Sequence, residues 1–346
     1  MKVLSDIDVS GKRVFVRADL DVPLNDGKRL GDKERDNNHE GLETATRLAG
    51  LKPTIDYIRK HGAKQIIIAG KIGRPKGKAD PQLSTLRIKD ALEKILGVSI
   101  SFAADIEHQP EGEVVLLENT HFWPEELEPS EEFARKLAKL ADVYVNENFA
   151  SSHRNEASVS LLPRLLPHAA GLRLQKETEE LNNVLQNPQR PLVVIIGGAK
   201  IETKIPVIER LAVVADYVLI GGYLPIEITK QRFVFPPNVV VATLTNDEKD
   251  ISSESINVFK GKLANAGTVV LNGPMGKYED GYGDGTKEVA KAIVASGAYS
   301  IVGGGNTEDF LQEAGLLEKF SFVSAGGGAM LAFLAGKELP GLAALE

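Results

Sequence analysis

The sequence contains no cysteine, and this absence removes several kinds of chemistry. Disulfide bonds, thiolate metal sites and thiol nucleophiles are all excluded. No apolar run approaches the length of a membrane-spanning helix, and Met1–Leu4 lead directly into a charged segment, so we expect a cytoplasmic protein without a membrane partner. Excess positive charge is missing too, since the net charge of −7 and the pI of about 5.6 argue against nucleic acid as a partner.

Common phosphate and metal motifs are also absent. No Gly-Lys pair is followed by Ser or Thr, as a Walker loop requires, and no GxGxxG follows a predicted strand. HExxH does not occur, the histidines are scattered, and no three acidic residues have the spacing of metal ligands. An anionic ligand would therefore need a local basic patch on a chain that is acidic overall.

What is present is an alternation of strand-like and helix-like segments over 346 residues, a length that predicts two domains. The first half is predicted to contain strands at 12–18, 63–69, 113–117 and 141–145, with helices at 53–61, 85–96 and 130–140. The second half is predicted to contain strands at 192–196, 217–220, 239–242, 268–271, 300–302 and 320–323, with helices at 203–214, 254–264, 286–296 and 307–314. This alternation predicts the α/β class, with two doubly wound, Rossmann-like parallel sheets joined by a long helix.

Composition also suggests where the domains end. The segment 172–187 has the pattern of one long polar helix, which would connect a domain at 1–171 to a domain at 188–334. Two stretches, 26–46 and 223–238, are predicted to be irregular because they are rich in glycine and asparagine or in proline.

Glycine clusters follow five of the predicted strands in the second half. The first is Gly197-Gly198, followed by Lys200 and Lys204, which are four apart and would lie on one face of the helix start. The others are Gly221-Gly222, Gly273–Gly276, Gly303–Gly305 and Gly326–Gly328. Each cluster alone is consistent with a tight turn, and the two lysines with solvated side chains. Five clusters at one edge of one sheet favour a phosphate or nucleotide site.

Arginines occupy the corresponding positions in the first half. Four of them, with two histidines, stand at strand ends or before the first helix, namely Arg17, Arg47, Arg74, Arg154, His121 and His153. Together they would bind carboxylate and phosphate groups, whereas any one of them alone is consistent with a solvated surface residue.

Eight motifs, taken together, resemble the phosphoglycerate kinase family. They are RADLDVP at 17–23, GRPKG at 73–77, LENTHFWPE at 117–125, VYVNENFASSHRNEAS at 143–158, GGAKIETK at 197–204, NGPMG at 272–276, VGGGNT at 302–307 and SAGGGA at 324–329. The resemblance covers nearly the whole chain, and it implies that the tail at 335–346 packs back on the first domain.

The resemblance implies reversible phosphoryl transfer between 1,3-bisphosphoglycerate and ADP, giving 3-phosphoglycerate and ATP, by a monomer that uses magnesium. The substrate would bind Asp19, Asp21, Arg47, Lys71, Arg74, His121 and Arg154. The nucleotide would bind Gly198, Lys200, Lys204, Gly222, Asn272, Glu279, Gly304, Gly305, Asn306 and Thr307, with Asn306 bearing on the metal. The catalytic residues would be Arg47, Lys200, Gly327 and Gly328.

Several residues depart from the family's motifs. In the first half, Asp21 replaces Asn, Lys71 replaces His, His121 replaces Arg and Glu156 replaces His. In the second half, Asn306 replaces the Asp of GGGDT, Tyr223 replaces a glycine, and 223–271 is shorter than expected.

These departures leave three hypotheses open. The chain is a phosphoglycerate kinase, a kinase of the same fold for another acid or phosphoryl donor, or a non-catalytic binding protein. His121, Glu156 and Tyr223 would be the altered specificity residues of the second, and Asn306 with the shortened segment would permit the third.

Overall fold

The structure is a computed structural model that describes residues 1–24 and 47–346. The predicted irregular stretch 26–46 therefore lies outside the described residues. The described chain divides into two compact units, the first formed by Met1–Glu177 with Glu338–Glu346 and the second by Thr178–Lys337. None of the described helices is both long and apolar enough to cross a membrane.

The first unit is built on a six-stranded parallel sheet with strand order β3-β4-β2-β1-β5-β6. Its strands are β1 (Arg13–Arg17), β2 (Gln65–Ala69), β3 (Ser101–Ala103), β4 (Val114–Leu117), β5 (Val143–Asn146) and β6 (His168–Ala170). Its helices are α1 (Lys52–Lys60), α2 (Lys89–Leu96), α3 (Pro124–Leu127) and α4 (Glu131–Lys139), with short helical turns at Leu4–Asp6, Pro81–Leu83, Thr85–Ile88, Thr120–Phe122, Ala157–Leu161 and Leu162–Leu165.

The second unit contains another six-stranded parallel sheet, with strand order β12-β11-β10-β7-β8-β9. Its strands are β7 (Leu192–Ile196), β8 (Tyr217–Ile220), β9 (Val239–Val241), β10 (Thr268–Asn272), β11 (Tyr299–Gly303) and β12 (Phe322–Ser324). The remaining helices of the chain are α5 (Leu172–Gln186), α6 (Ile201–Val214), α7 (Leu224–Gln231), α8 (Ser253–Leu263), α9 (Asp284–Ser296), α10 (Gly305–Glu313), α11 (Gly327–Leu334) and α12 (Pro340–Ala343), with turns at Tyr278–Asp280 and Leu317–Lys319.

The central strands are apolar on both faces because helices cover both sides of each sheet. Every residue of β7 is buried, and the same is true of β2 and β10. The predicted α/β class with two doubly wound parallel sheets is confirmed.

Three details differ from the sequence prediction. The stretch 223–238, predicted to be irregular, contains helix α7, because Pro225 occupies its first turn, where no backbone N–H donor is needed. Strands β3 and β6 were not predicted, since each has only three residues and lies at an edge of the sheet. The predicted helix at 85–96 begins as a tighter turn over Thr85–Ile88.

Residues 338–346 group with the first unit, although they end the chain. The Gly341 N–H donates to the Ser152 carbonyl oxygen over 2.9 Å, and its carbonyl oxygen accepts from the Asn146 side chain at 3.3 Å. Asn146 ends β5, so the tail lies against the sheet edge at which that strand finishes.

A buried carboxyl group holds the start of helix α5. Glu147 Oε1 accepts from the Thr54 hydroxyl at 2.7 Å and from the Arg173 N–H at 3.1 Å, and the Leu172 N–H donates to the Thr54 hydroxyl. Burial raises the pKa of Glu147 to about 8 despite these hydrogen bonds. Its Oε2 has no hydrogen-bond partner among the described residues.

We expect this carboxyl group to make the protein less stable as the pH rises from about 4.5 to about 8. In that window the native state holds the proton and the unfolded state does not, so the free energy of unfolding falls by about 1.4 kcal/mol per pH unit for one such group. Glu147→Gln has no proton to lose and should remove this contribution. Thermal unfolding of both proteins between pH 5 and pH 8 tests this, and identical pH slopes would contradict it.

Candidate active site

Polar and charged side chains gather where the strands of the first sheet end. The register places Arg17, the last residue of β1, beside Ala69 of β2 and Asn146 of β5. The carboxyl ends of these parallel strands therefore lie at one edge, and the segments 18–24, 70–77, 118–123 and 147–158 all leave from it.

Arg47 is held at this edge by a carboxylate. Its NH1 lies 3.3 Å from Oδ2 of Asp19, which is buried, and its backbone oxygen accepts from Arg173 NH1 at 3.1 Å. The Arg47 side chain is 17% exposed, so the guanidinium is oriented by Asp19 and partly exposed to solvent. An oriented, always-charged fork of this kind suits a phosphoryl group.

Lys71 and Asp21 form an ion pair at the same edge of the first sheet. The Asp21 Oδ1 accepts from the Gly73 N–H at 2.8 Å, so one carboxylate holds both the lysine and the loop that carries Arg74. Burial lowers the pKa of Lys71, and the Asp21 charge opposes that effect. Arg74 is exposed and forms no ion pair with any described carboxylate, so it is available to a ligand.

Glu156 is the centre of a buried network at the same edge. Its carboxylate lies 3.3 Å from Arg17 NH2, 3.0 Å from His121 Nε2 and 3.4 Å from Arg154 NH1. Burial by itself raises the pKa of Glu156, but the hydrogen bond from His121 and the charges of Arg17, His121 and Arg154 lower it to about 2. The negative charge expected beside an anion site is thus shared among three basic side chains.

The predicted basic group at this edge needs one correction. The Arg17 side chain is fully buried, and it donates to the Ser158 hydroxyl and the Ala18 carbonyl oxygen as well as to Glu156. It therefore supports the network from beneath and is not open to a ligand. Arg154 is 32% exposed and His153 is exposed, so both remain accessible.

The glycine clusters of the second unit meet at the corresponding edge of its sheet. The Gly198 N–H donates to the Pro274 carbonyl oxygen, the Gly222 N–H to that of Met275, and the Tyr223 N–H to that of Gly198, each at 3.0 Å. The loops after β7, β8 and β10 are therefore tied together by their backbones. A side chain would not fit between them, because a Cβ atom on Gly222 would lie 2.4 Å from the Gly198 nitrogen.

We call the joined loops after β7, β8 and β10 the glycine cradle. Asn272 connects the remaining glycine clusters to it. Its Nδ2 donates to the carbonyl oxygens of Gly303 and Gly327, and its Oδ1 lies 2.8 Å from Lys204 Nζ. The Thr307 hydroxyl accepts from the Gly273 N–H at 3.0 Å. These contacts bring together the loops after β10 and β11 and the start of α11.

The two lysines stand at the start of a 14-residue helix. Lys200 is the residue before α6 and is exposed, and Lys204 is one turn inside it. Burial lowers the pKa of Lys204 to about 8, with a further contribution from the nearby Lys200 charge. Two ammonium groups and the free N–H groups of a helix start favour phosphate oxygens.

A cavity of about 470 Å³ lies beside the cradle. It is lined by Gly198, Ala199, Gly222, Tyr223, Ile226, Asp247, Glu248, Lys249, Pro274, Gly276, Lys277, Glu279 and Asn306. The segment Asp247–Lys249 was not predicted as part of the site, because the Lys277 N–H to Lys249 O bond that brings it there joins residues distant in sequence. Glu279 thus lies at the cavity, as predicted for a nucleotide site, whereas Gly305 and Gly328 do not line it and remain predicted ligand contacts.

These residues fit a magnesium ion that arrives with phosphate groups. Among the described residues no cluster of three or more His, Cys, Asp or Glu side chains could enclose a metal. Magnesium in phosphate sites commonly takes only one or two protein oxygens. Asn306 lines the cavity with its Nδ2 3.1 Å from Glu279 Oε1, so an amide and a carboxylate are available there.

Comparison with known proteins agrees with this arrangement. The sequence profile described as phosphoglycerate kinase matches residues 4–234 and 238–337. The phosphoglycerate kinase of Solibacter usitatus (strain Ellin6076) is 38% identical, over 99% of this chain and 98% of that protein. That of Desulforudis audaxviator (strain MP104C) is 36% identical, over 100% of this chain and 99% of that protein. The 402 positions of this last alignment exceed the 346 residues of the chain, which therefore lacks segments that this relative carries.

Solved structures give the same result. The phosphoglycerate kinase from Pyrococcus horikoshii OT3 superposes with a TM-score of 0.83 at 29% identity, over 100% of this chain and 98% of that one. That from Coxiella burnetii superposes with a TM-score of 0.81 at 30% identity, over 99% and 98%. Because both the sequence profile and these relatives extend over both units, the chain belongs to the phosphoglycerate kinase family.

Proposed function

We propose that this protein is a phosphoglycerate kinase, which transfers a phosphoryl group reversibly between 1,3-bisphosphoglycerate and ADP, giving 3-phosphoglycerate and ATP. The observation that carries the proposal is the glycine cradle of the second unit together with its two lysines. Lys204 Nζ donates to Asn272 Oδ1 at 2.8 Å, and the exposed Lys200 directly precedes helix α6. The whole-chain family match supports it.

The first unit would bind the acceptor. Arg74 and Arg154 would hold the carboxylate and phosphate of 3-phosphoglycerate, since both guanidiniums are accessible and Arg154 is anchored by Glu156. Lys71, His121, Asp19 and Asp21 would define the position of these groups. Arg47 would stabilise the phosphoryl group during transfer, because it is charged, oriented by Asp19 and partly exposed.

The second unit would bind ATP or ADP. Lys200 and Lys204 would hold the phosphates over Gly198, with the ribose and base in the cavity between Gly222 and Glu279. Asn272, Thr307, Gly304 and Gly305 would keep the loops around the phosphates in place, and Gly327 and Gly328 would present N–H groups at the start of α11 to the transferred group. Magnesium, held in part by Asn306, would supply positive charge to the phosphate oxygens.

A coupled assay of 3-phosphoglycerate phosphorylation with MgATP tests the proposal. Turnover together with thermal stabilisation by each substrate alone is the expected result, because a ligand that binds only the native state raises its stability. Stabilisation by MgATP without turnover would point to another acceptor acid. No turnover and no stabilisation by either ligand would overturn the proposal.

The affinity for MgADP should fall as the pH rises through about 8. The free protein loses the Lys204 proton in that range, whereas a bound phosphate favours the charged ammonium. Lys204→Arg stays charged and should remove this pH dependence, which calorimetric titration between pH 6.5 and pH 9.5 would measure. Lys262→Arg, which lies over the Tyr217 ring away from the cavity, is the control. Equal pH slopes for the unmodified protein and Lys204→Arg would contradict the expectation.

A further inference from the structure

Two contacting pairs of an acidic and a basic side chain lie at the edge of the first sheet. The side chains of Asp21 and Lys71 are ion-paired. His121 Nε2 lies 3.0 Å from Glu156 Oε1. Each carboxylate therefore has a basic partner, although the members of the pairs are 50 and 35 residues apart in sequence.

The second pair is the more deeply buried. Glu156 is 4% exposed and His121 is 3% exposed, so neither group could stand there without a partner. The same carboxylate also binds Arg17, which is fully buried, and Arg154, which reaches the surface. Glu156 thus connects a buried guanidinium to an accessible one through a single carboxylate.

This arrangement fixes the direction of Arg154. Glu156 Oε1 lies near both Arg154 NH1 and His121 Nε2, so the histidine and the arginine share one oxygen atom. Replacing Glu156 by a residue without a carboxylate would remove the only described carboxylate that pairs with Arg154 and Arg17.

We propose that His121 and Glu156 act as one coupled positioning pair, which orients Arg154 for the acid substrate. The inference rests on the proposed function, because Arg154 is taken to bind the acceptor. Glu156 and His121 are positioning residues in this account, and Arg154 is the residue that contacts the substrate.

The direction in which Glu156→Gln changes the KM for 3-phosphoglycerate distinguishes a positioning role from simple charge repulsion. Glu156→Gln removes a negative charge from an anion site, so a charge effect alone would lower the KM for 3-phosphoglycerate. Positioning predicts the opposite, a rise of about 10-fold, because the amide holds Arg154 less firmly than the carboxylate. The KM for MgATP should stay unchanged, which a general loss of structure would not produce.

A double-mutant cycle tests the coupling. His121→Gln and Glu156→Gln are each expected to raise the KM for 3-phosphoglycerate by about 10-fold, and the double variant should raise it no further, because both substitutions break the same contact. Combining His121→Gln with Asp21→Asn is the matched control, because these residues contact different partners and their effects should multiply. If the double variant does not fold, the opposite signs predicted for Glu156→Gln still decide the matter.

The outcomes distinguish this inference from the proposed function. Turnover by the unmodified protein with independent effects in the His121 and Glu156 cycle would overturn the inference alone. A lower KM for Glu156→Gln would do the same. An unmodified protein that neither binds nor phosphorylates 3-phosphoglycerate would overturn the proposed function and the inference with it.

Discussion

Replacing Arg47 with alanine is expected to lower kcat for 3-phosphoglycerate phosphorylation by about 10²–10³-fold, the cost of removing one charged group from a phosphoryl-transfer site. The guanidinium lies 3.3 Å from Asp19 and is 17% exposed, so it is oriented for a ligand and contributes little to the hydrophobic core. Because the Asp19 carboxylate is buried and loses this partner, the free energy of unfolding should also fall, by about 1–3 kcal/mol, so kcat is compared at a temperature where both proteins are folded.

Two further variants sharpen this test. Arg47→Lys keeps the charge but loses the planar fork, so most of the lost activity should not return. Arg59→Ala is the control: it removes an arginine of helix α1 that forms a surface ion pair with Glu113, and it should leave kcat unchanged. If Arg47→Ala keeps more than half of the original kcat, Arg47 does not stabilise the transferred group.

The second large effect concerns the glycine cradle. Gly222→Ala should lower the free energy of unfolding by at least about 2 kcal/mol and abolish stabilisation by MgADP. The backbone at Gly222 has φ of +66°, and the added Cβ would lie 2.4 Å from the Gly198 nitrogen and 2.9 Å from the Pro274 carbonyl oxygen. Both neighbours are backbone atoms, so relief would require the loops after β7 and β10 to move apart.

Gly261→Ala is the matched control for this substitution. Gly261 lies in helix α8 with open space around its Cα, and alanine should raise stability by about 0.5–1 kcal/mol through its helix propensity. Thermal unfolding of the three proteins, with and without MgADP, measures both effects. A Gly222→Ala protein that melts at the original temperature and still responds to MgADP would show that the cradle is not tightly closed.

The elements that could be predicted are those whose pattern is local. Leu192–Ile196 and Tyr217–Ile220 were predicted with their observed bounds, because a strand buried on both faces needs an uninterrupted apolar run. The three-residue edge strands β3 and β6 were missed, since they are too short to show a period. Helix α7 was missed because Pro225 was taken to prevent a helix that it in fact begins.

The site could be predicted in part for the same reason. Glycines directly after buried strands indicate an edge where backbones approach closely, and the structure joins those loops by hydrogen bonds between Gly198, Gly222 and the segment 274–275. The segment Asp247–Lys249 at the cavity gave no such signal, because contacts between residues distant in sequence hold it there, among them the bond from the Lys277 N–H to the Lys249 carbonyl oxygen and the bond from the Gly285 N–H to the neighbouring Asp250 carboxylate.

The sequence by itself determined the α/β class, the two parallel sheets and the family, because these depend on apolar periodicity and on motifs that are contiguous in the chain. Only the tertiary structure decided that Asp21 faces Lys71, that His121 faces Glu156, and that Arg17 is buried against Glu156. The first two contacts join loops that leave different strands of one sheet. Spacing along the chain does not specify which side chains such loops bring within reach of one another, so the four residues could be seen in the sequence but their pairing could not.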